Sequence, residues 1–342
     1  MDLIQAAWMV RELGQPVSAV DIDGSGNLIV GGWDGLLKKW NSDGDLIWSA
    51  ECGDRIESIL LHGNLVVVTA GLHIVCLENG SVIWERALEG SADMLTSKGG
   101  EIIATSSVYD IEHGDFMESA IWRFTESGDL LDVERIDERP WFIAASKELI
   151  IGLGRPRCGV LIDGNHRDLA VKSPVTCGST HNGIVLLGHA DGSISDLDGA
   201  VLSTENSAIS TILCAENSFT VGTEAGDIVS RNYQNDKIWF ANGDSIVTQT
   251  TGFEGTHWCA RWNGLSGLIE VRDNSEGEIL ASAVTSKPRV SHSTVNRVVF
   301  GFENGQVLVW ERELFSRRLE NPISIVNERK SDLASRLRSL RK

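Results

Sequence analysis

The chain has 342 residues, 42% of them hydrophobic, with 35 glycines against 6 prolines; this excludes extensive disorder and leaves no stretch that reads as a linker. Its formal charge of −18 argues against a body that grips nucleic acid or an anionic membrane, and no apolar run approaches the ~18 residues of a spanning helix. Arginine outnumbers lysine 21 to 9, a balance that suits a salty cytoplasm and equally any acidic soluble protein.

Residues 1–5 have no basic segment followed by an apolar one, so no export signal or lipid anchor is expected and the protein reads as cytoplasmic. Next, Ala6-Ala7-Trp8-Met9-Val10 forms an apolar strand with no partner nearby in sequence. From Val17 the chain repeats. One phrase recurs as Ile29-Val30-Gly31-Gly32-Trp33-Asp34-Gly35-Leu36, and around Gly188-His189-Ala190-Asp191-Gly192, Gly222-Thr223-Glu224-Ala225-Gly226 and Gly301-Phe302-Glu303-Asn304-Gly305. Each reads as two strands joined by a tight turn whose glycine supplies positive φ. A second phrase follows, a turn and then an apolar strand often ending in tryptophan: Asp43-Gly44-Asp45-Leu46-Ile47-Trp48, Asn79-Gly80-Ser81-Val82-Ile83-Trp84, Ser127-Gly128-Asp129-Leu130-Leu131, Asp236-Lys237-Ile238-Trp239 and Glu276-Gly277-Glu278-Ile279-Leu280.

Together the phrases make a four-stranded antiparallel unit. Inner strands starting near Val17, Arg55, Ser91, Pro140, Pro174, Ala208, Ser245 and Pro288 give intervals of one propeller blade. The expected fold is therefore all-β: a closed β-propeller of about eight four-stranded blades over residues 1–320, with seven blades as the alternative. The third and seventh units carry insertions, and those beginning at Pro140 and Pro174 match the repeat least well. Trp8 stands before its inner strand as Trp48 and Trp84 stand before theirs, so the N-terminal strand is expected to complete the last blade, which lacks a good outer strand. Closure of that kind covers exposed sheet edges.

Blades ending in Gly-x-Ile/Leu-Trp after Gly-Thr-x-x-Gly-type hairpins resemble the pyrroloquinoline-quinone-type repeat, an architectural relative of WD40 propellers, over roughly residues 3–312. Trp8, Trp48, Trp84 and Trp239 match the repeat's tryptophan; Leu131, Leu202 and Leu280 or their neighbours replace it elsewhere. The resemblance implies tryptophans packed between blades and says little about activity. Quinoprotein dehydrogenases share the repeat but commonly hold their quinone against adjacent cysteines near calcium. Here the cysteines (Cys52, Cys76, Cys158, Cys177, Cys214, Cys259) are dispersed, with no CxxC pair, and read as buried free thiols. The outer-membrane assembly propeller of bacteria shares the plan as a secreted lipoprotein, a role that the absent lipobox argues against.

No cofactor, metal or enzymatic activity is expected. Residues 21–27 look superficially like an acidic calcium loop but lack the closing glutamate, and read better as a strand end and turn. The eight histidines form no HxH or HxxxH, and no GxSxG, P-loop or GxGxxG occurs.

The hairpins joining second to third strands share one face with the connections between blades. That face gathers Trp33, Asp34, His73, Tyr109, His113, Arg155, Arg157, His189, Asp191, Glu224, Trp262, Phe302 and Glu303 as a candidate partner-binding surface, since aromatic and arginine side chains dominate interface energetics. Trp33 and Phe302 could equally be packing residues. The longest hairpin, residues 106–118, would suit a partner contact through Tyr109, Phe116 and Met117, or be a tolerated insertion.

Residues 327–342 break the pattern. Six basic residues face two acids, a net of +4 that leaves the remainder at −22. Ser331 can cap a short helix with Leu333, Leu337 and Leu340 on one face, and the tail 321–342 presents Arg329, Lys330, Arg336, Arg338 and Arg341 for docking. It could lie on the acidic body, a partner protein, or nucleic-acid or membrane phosphate.

The function these features support is an intracellular scaffold for protein–protein interactions, monomeric or part of a hetero-complex with an unidentified protein partner. Two alternatives stand: a small-ligand- or metal-binding propeller, possibly an enzyme, using the central channel mouth, and a nucleic-acid-associated adaptor acting through the tail. Convergent histidines and carboxylates around the axis would favour the first alternative; a wide aromatic-and-arginine face would favour the scaffold.

Overall fold

A computed structural model describes residues 3–112 and 114–320. His113 and the tail residues Arg329, Lys330, Leu333, Arg336, Leu337, Arg338, Leu340 and Arg341 lie outside the described residues. Among the described residues there are eight four-stranded antiparallel sheets, each formed from strands consecutive in the chain, except that the last takes in an N-terminal strand. They are blade 1 (17–51), blade 2 (59–87), blade 3 (91–136), blade 4 (140–167), blade 5 (175–204), blade 6 (209–241), blade 7 (245–285) and blade 8 (288–311 with 9–12). The count is eight, and the two least regular units are complete blades, although the outer strand of blade 4 is only Asn165–Arg167.

The ring closes as the repeat predicts. Strand Met9–Glu12 pairs antiparallel with Gln306–Glu311, placing Met9 opposite Val309 and Glu12 opposite Gln306. Trp310 Nε1 donates to the Leu3 carbonyl at 2.8 Å, joining the two ends of the chain inside the fold.

Each strand forms because its neighbour satisfies its amides while one side chain in two enters a junction between blades. Eight apolar clusters lie among the described residues, one at each junction. Most hold several large aliphatic or aromatic side chains, each contributing roughly 1.5–3 kcal/mol on burial. The junction of blades 6 and 7 is different, with only Ile228, Trp239, Ala241 and Cys259 fully buried in its cluster. There Arg261, 2% exposed, donates from Nη1 to the carbonyls of Gly226 and Asp244 at 2.7 Å each. Its Nε donates to Glu270 at 3.0 Å, and Arg272 donates to the same carboxylate oxygen at 3.1 Å. A buried charge is tolerable only when paired and hydrogen-bonded, and this one is both.

The repeat's tryptophans sit where the resemblance implied, with one refinement. Leu131, Leu202 and Leu280 fall at the residue skipped in the outer-strand register, as do Ile47, Ile83 and Ile238. The position aligned with tryptophan is the following residue: Asp132, Ser203 or Ala281. Trp8 is 45% exposed while Trp84 and Trp239 are buried, so the first tryptophan covers its neighbour only partly.

After Glu311 the chain forms a C-terminal helix earlier than the sequence places one. Arg312–Glu320 is an α-helix; the helix expected from Asp332 lies outside the described residues. Glu311 accepts the first free amides, from Glu313 at 3.1 Å and Leu314 at 2.9 Å, as a helix N-terminus requires. Phe315 is buried, its ring 5.2 Å from both Phe253 and Trp258.

The acidic run 21–27 is the end of the inner strand Val17–Ile22 followed by a turn, as expected. Asp23 Oδ1 accepts the amides of Ser25 and Asn27 at 2.9 Å each, and Asp23 Oδ2 pairs with Lys39 at 2.8 Å. Among the described residues no helix is long and apolar enough to cross a membrane.

A candidate interaction face around the channel mouth

Alternating strand direction puts every second-to-third-strand hairpin, and every connection between blades, on one face. One irregularity in the inner strands shapes that face. In most blades the pairing of the first two strands skips a residue just after the inner strand begins, between 17 and 19, 140 and 142, 175 and 177, 209 and 211, 246 and 248, and 288 and 290. In blade 3 the skip lies between Ala92 and Leu95. A bulge turns the extra residue out of the ladder and re-aims its side chain. Ser18, Asp93, Met94, Trp141, Thr176, Ser210, Val247 and Arg289 occupy these positions, and Asp93, Trp141 and Arg289 build the site.

Two aromatic–guanidinium ladders result. In the first, Trp33 lies between Arg55 and Arg289, whose guanidinium carbons are 4.3 and 4.4 Å from the indole centroid. Glu57 pairs with Arg55 at 2.7 Å, and Glu303 forms ion pairs with both Arg289 at 3.2 Å and Lys287 at 3.4 Å. Lys287 also stands 5.7 Å from the ring of Trp262. This ladder spans blades 7, 8, 1 and 2.

The second ladder spans blades 3 and 4. The hairpin of blade 3 is built from two ten-residue strands, Glu101–Asp110 and Asp115–Phe124, which place Tyr109 opposite Phe116. Their rings meet edge to face at 5.1 Å. Arg139 fills the next rung, 3.6 Å from the Phe116 centroid and 4.2 Å from that of Trp141. Behind it Asp93 lies 3.5 Å away and accepts a hydrogen bond from Ser107. Burial pushes the Asp93 carboxyl up and the Arg139 guanidinium down, and outweighs their mutual attraction in both. Two nearby rings help fix the guanidinium, since the ring quadrupoles favour a cation above them. Beside this ladder is a cavity of about 970 Å³, open to the face and shared by blades 3, 4 and 5.

The expected surface is thus partly assembled. Trp33, Trp262 and Glu303 join the first ladder; Tyr109 joins the second, and Arg155 lines the cavity. Asp34, His73, Arg157, Asp191 and Glu224 lie on the same face but enter neither ladder. His73 approaches Glu85 of its own blade at 3.8 Å, and Arg157 approaches Asp168 at 4.0 Å. Asp191 caps the amide of Ser193 at 3.0 Å.

Two members of the expected surface are corrected. His189 is buried, bonded to Ser195 Oγ at 2.9 Å and to the Ser173 carbonyl at 3.1 Å, and burial lowers its pKa. Phe302 is buried in the junction of blades 7 and 8. Both close their second strands, where the last inward-facing side chain still points into a junction.

Sequence reasoning missed Arg55, Arg139, Trp141, Lys287 and Arg289. For four of them the signal is positional, a basic or aromatic residue just before, or one after, the first residue of an inner strand; Arg55 lies four residues ahead of the Ile59 strand instead.

Along the axis, His292 and Asp21 of neighbouring inner strands approach to 3.4 Å, and burial raises the Asp21 pKa against the pull of His292. Among the described residues no group of three His, Cys, Asp or Glu side chains is arranged to hold a metal.

No protein-family profile matches the chain, and no curated protein matches it in sequence. Solved structures match the fold. The computationally designed Ika8 protein is 17% identical, with a TM-score of 0.71 over 88% of this chain and 98% of its own. Sqt1 of Saccharomyces cerevisiae is 13% identical, with a TM-score of 0.70 over 89% of this chain and 98% of its own. BamB from Moraxella catarrhalis is 13% identical, with a TM-score of 0.71 over 89% of this chain and 99% of its own. At such identities the likeness is one of architecture: an eight-bladed propeller, with no function carried across.

Proposed function

We propose that this propeller is a scaffold that binds other proteins through the face around its channel mouth, and that it works by binding rather than by catalysis. The observation that carries the reading is Trp33 held between Arg55 and Arg289, on the same face as the Tyr109–Phe116–Arg139–Trp141 ladder. Aromatic and arginine side chains fixed in advance lose little entropy on binding and bury much area, which is what interface anchors need. Hairpin tips on this face add exposed apolar side chains, Leu72 on blade 2, Ile111 on blade 3 and Leu265 on blade 7. All six cysteines are free thiols, which supports action in a reducing compartment such as the cytoplasm.

The test is affinity capture with immobilised full-length chain beside a Trp33→Ala/Arg289→Ala double variant whose melting temperature has been matched to wild type. Proteins held by the wild type and lost from the variant are expected. An identical captured set from both would sink the reading.

A further inference from the structure

We infer that the cavity beside the second ladder takes a basic, extended peptide segment of a protein partner. The inference rests on the scaffold reading above and assigns the chemistry of its partner.

The cavity's rim is acidic. Asp115 and Glu118 stand on the blade 3 hairpin and Asp137 on the connection into blade 4, all three lining the opening and all exposed. The opposing charge is smaller than the residue names suggest. Arg139 is committed to Phe116, Trp141 and Asp93, so the Asp93–Arg139 pair adds no net charge. Arg155 is the other cation on the lining, and three carboxylates against it leave a formal charge of −2. The wall beneath is apolar and rigid, made by Trp141, Pro156 and Pro174. An acidic rim over an aromatic and proline wall complements a strand that alternates apolar side chains with lysine or arginine. An acidic partner would meet this rim on a body that is itself strongly negative, and repulsion would slow its approach.

The experiment is fluorescence anisotropy with the full-length chain and three labelled nonapeptides. One alternates arginine with leucine, one has glutamate for each arginine, and one has glutamine. The arginine peptide should bind at least tenfold more tightly than the glutamine peptide, and the glutamate peptide more weakly than either. An Asp115→Asn/Glu118→Gln/Asp137→Asn variant should lose at least tenfold for the arginine peptide. Asp43→Asn/Glu148→Gln/Glu216→Gln removes the same charge from exposed turns of the opposite face, and should change affinity by less than about twofold, since charges that far apart are screened. Equal losses from the two triple variants would overturn the inference, because the whole body's field would then be the cause. Tightest binding of the glutamate peptide, or no binding of any peptide, would overturn it too. Either result could accompany intact partner capture dependent on Trp33, which would leave the scaffold reading standing and remove only the assigned chemistry.

Discussion

Trp84 of blade 2 lies across Gly128 of blade 3, its Nε1 donating to the Glu126 carbonyl at 2.8 Å. The same contact recurs around the ring. Trp239 donates to the Asn274 carbonyl at 2.9 Å beside Gly277, and Trp48 packs on Gly80. Each tryptophan lies within an outer strand and covers the turn between the third and fourth strands of the next blade. Each of these glycines has a positive φ. Where no tryptophan presses on the turn, a side chain is tolerated: blade 6 carries Asn235 at φ 71°. The repeat signature is therefore a pair, a tryptophan on one blade and a turn glycine on the next.

The pair predicts the cost of a methyl group. A Cβ on Gly128 would stand 2.6 Å from the Trp84 ring, so Gly128→Ala adds overpacking of about 1–3 kcal/mol to the cost of positive φ. Gly100, at φ 85° with open space around it, supplies the control: Gly100→Ala carries the backbone cost alone. Urea denaturation should rank Gly128→Ala well below Gly100→Ala in stability. Equal losses would show that the indole can give way.

A second prediction concerns the buried arginine between blades 6 and 7. Glu270 is the carboxylate shared by Arg261 and Arg272. Glu270→Gln leaves two guanidinium groups without their counter-ion in a buried site, which should cost about 3–5 kcal/mol. Adding Arg261→Met to Glu270→Gln should recover part of that loss, since the uncompensated charge nearest the junction is gone and a similar apolar volume replaces it. Chemical denaturation of the three variants measures the coupling. A double variant as unstable as the sum of the singles would mean that the charges act independently.

Much of this architecture was legible in the chain. Glycine turns, alternating strands and recurring tryptophans are local signals of period two and of the blade interval, and they located all eight inner strands to within a few residues. The site was legible only in part, for a physical reason. Trp33 and Glu303 sit on hairpin tips that sequence can place, but Arg289 and Trp141 reach the face through bulges, which depend on how two strands pair. His189 and Phe302 failed in the opposite direction. One position along a strand separates an inward side chain from an exposed one, and turn spacing does not fix that register. The helix Arg312–Glu320 was missed because its apolar face, Phe315 and Leu319, is short. It is held by burial against Trp258 and Phe253 more than by its own propensity.

That helix gives a third prediction. Phe315 is 2% exposed and packs on two aromatic rings of blade 7. Phe315→Ala should cost about 3–5 kcal/mol, the usual penalty for emptying a buried phenylalanine site. Thermal and urea unfolding would report it. A loss under about 1 kcal/mol would show that the helix is an appendage and that the ring is closed by the N-terminal strand alone.

The last prediction follows from His257, buried in blade 7 with Nε2 bonded to Gln249 Oε1 at 2.9 Å. Burial first, then the nearby Arg272 and Arg261, lower its pKa from 6.5 to about 3. The unfolded chain can protonate this imidazole below pH 6.5 while the folded chain cannot until about pH 3. Unfolding therefore takes up a proton in that window, and its contribution to stability is full above pH 6.5 and falls as the pH is lowered. The slope from this one group is at most about 1.4 kcal/mol per pH unit. His257→Gln keeps a polar side chain facing Gln249 but cannot be protonated. The difference in unfolding free energy between wild type and this variant should therefore shrink steadily from pH 6.5 to pH 4, as the wild type alone loses stability to histidine protonation. A difference that stays constant across that range would mean that the folded protein can protonate His257, and that the pocket opens to water more readily than its burial indicates.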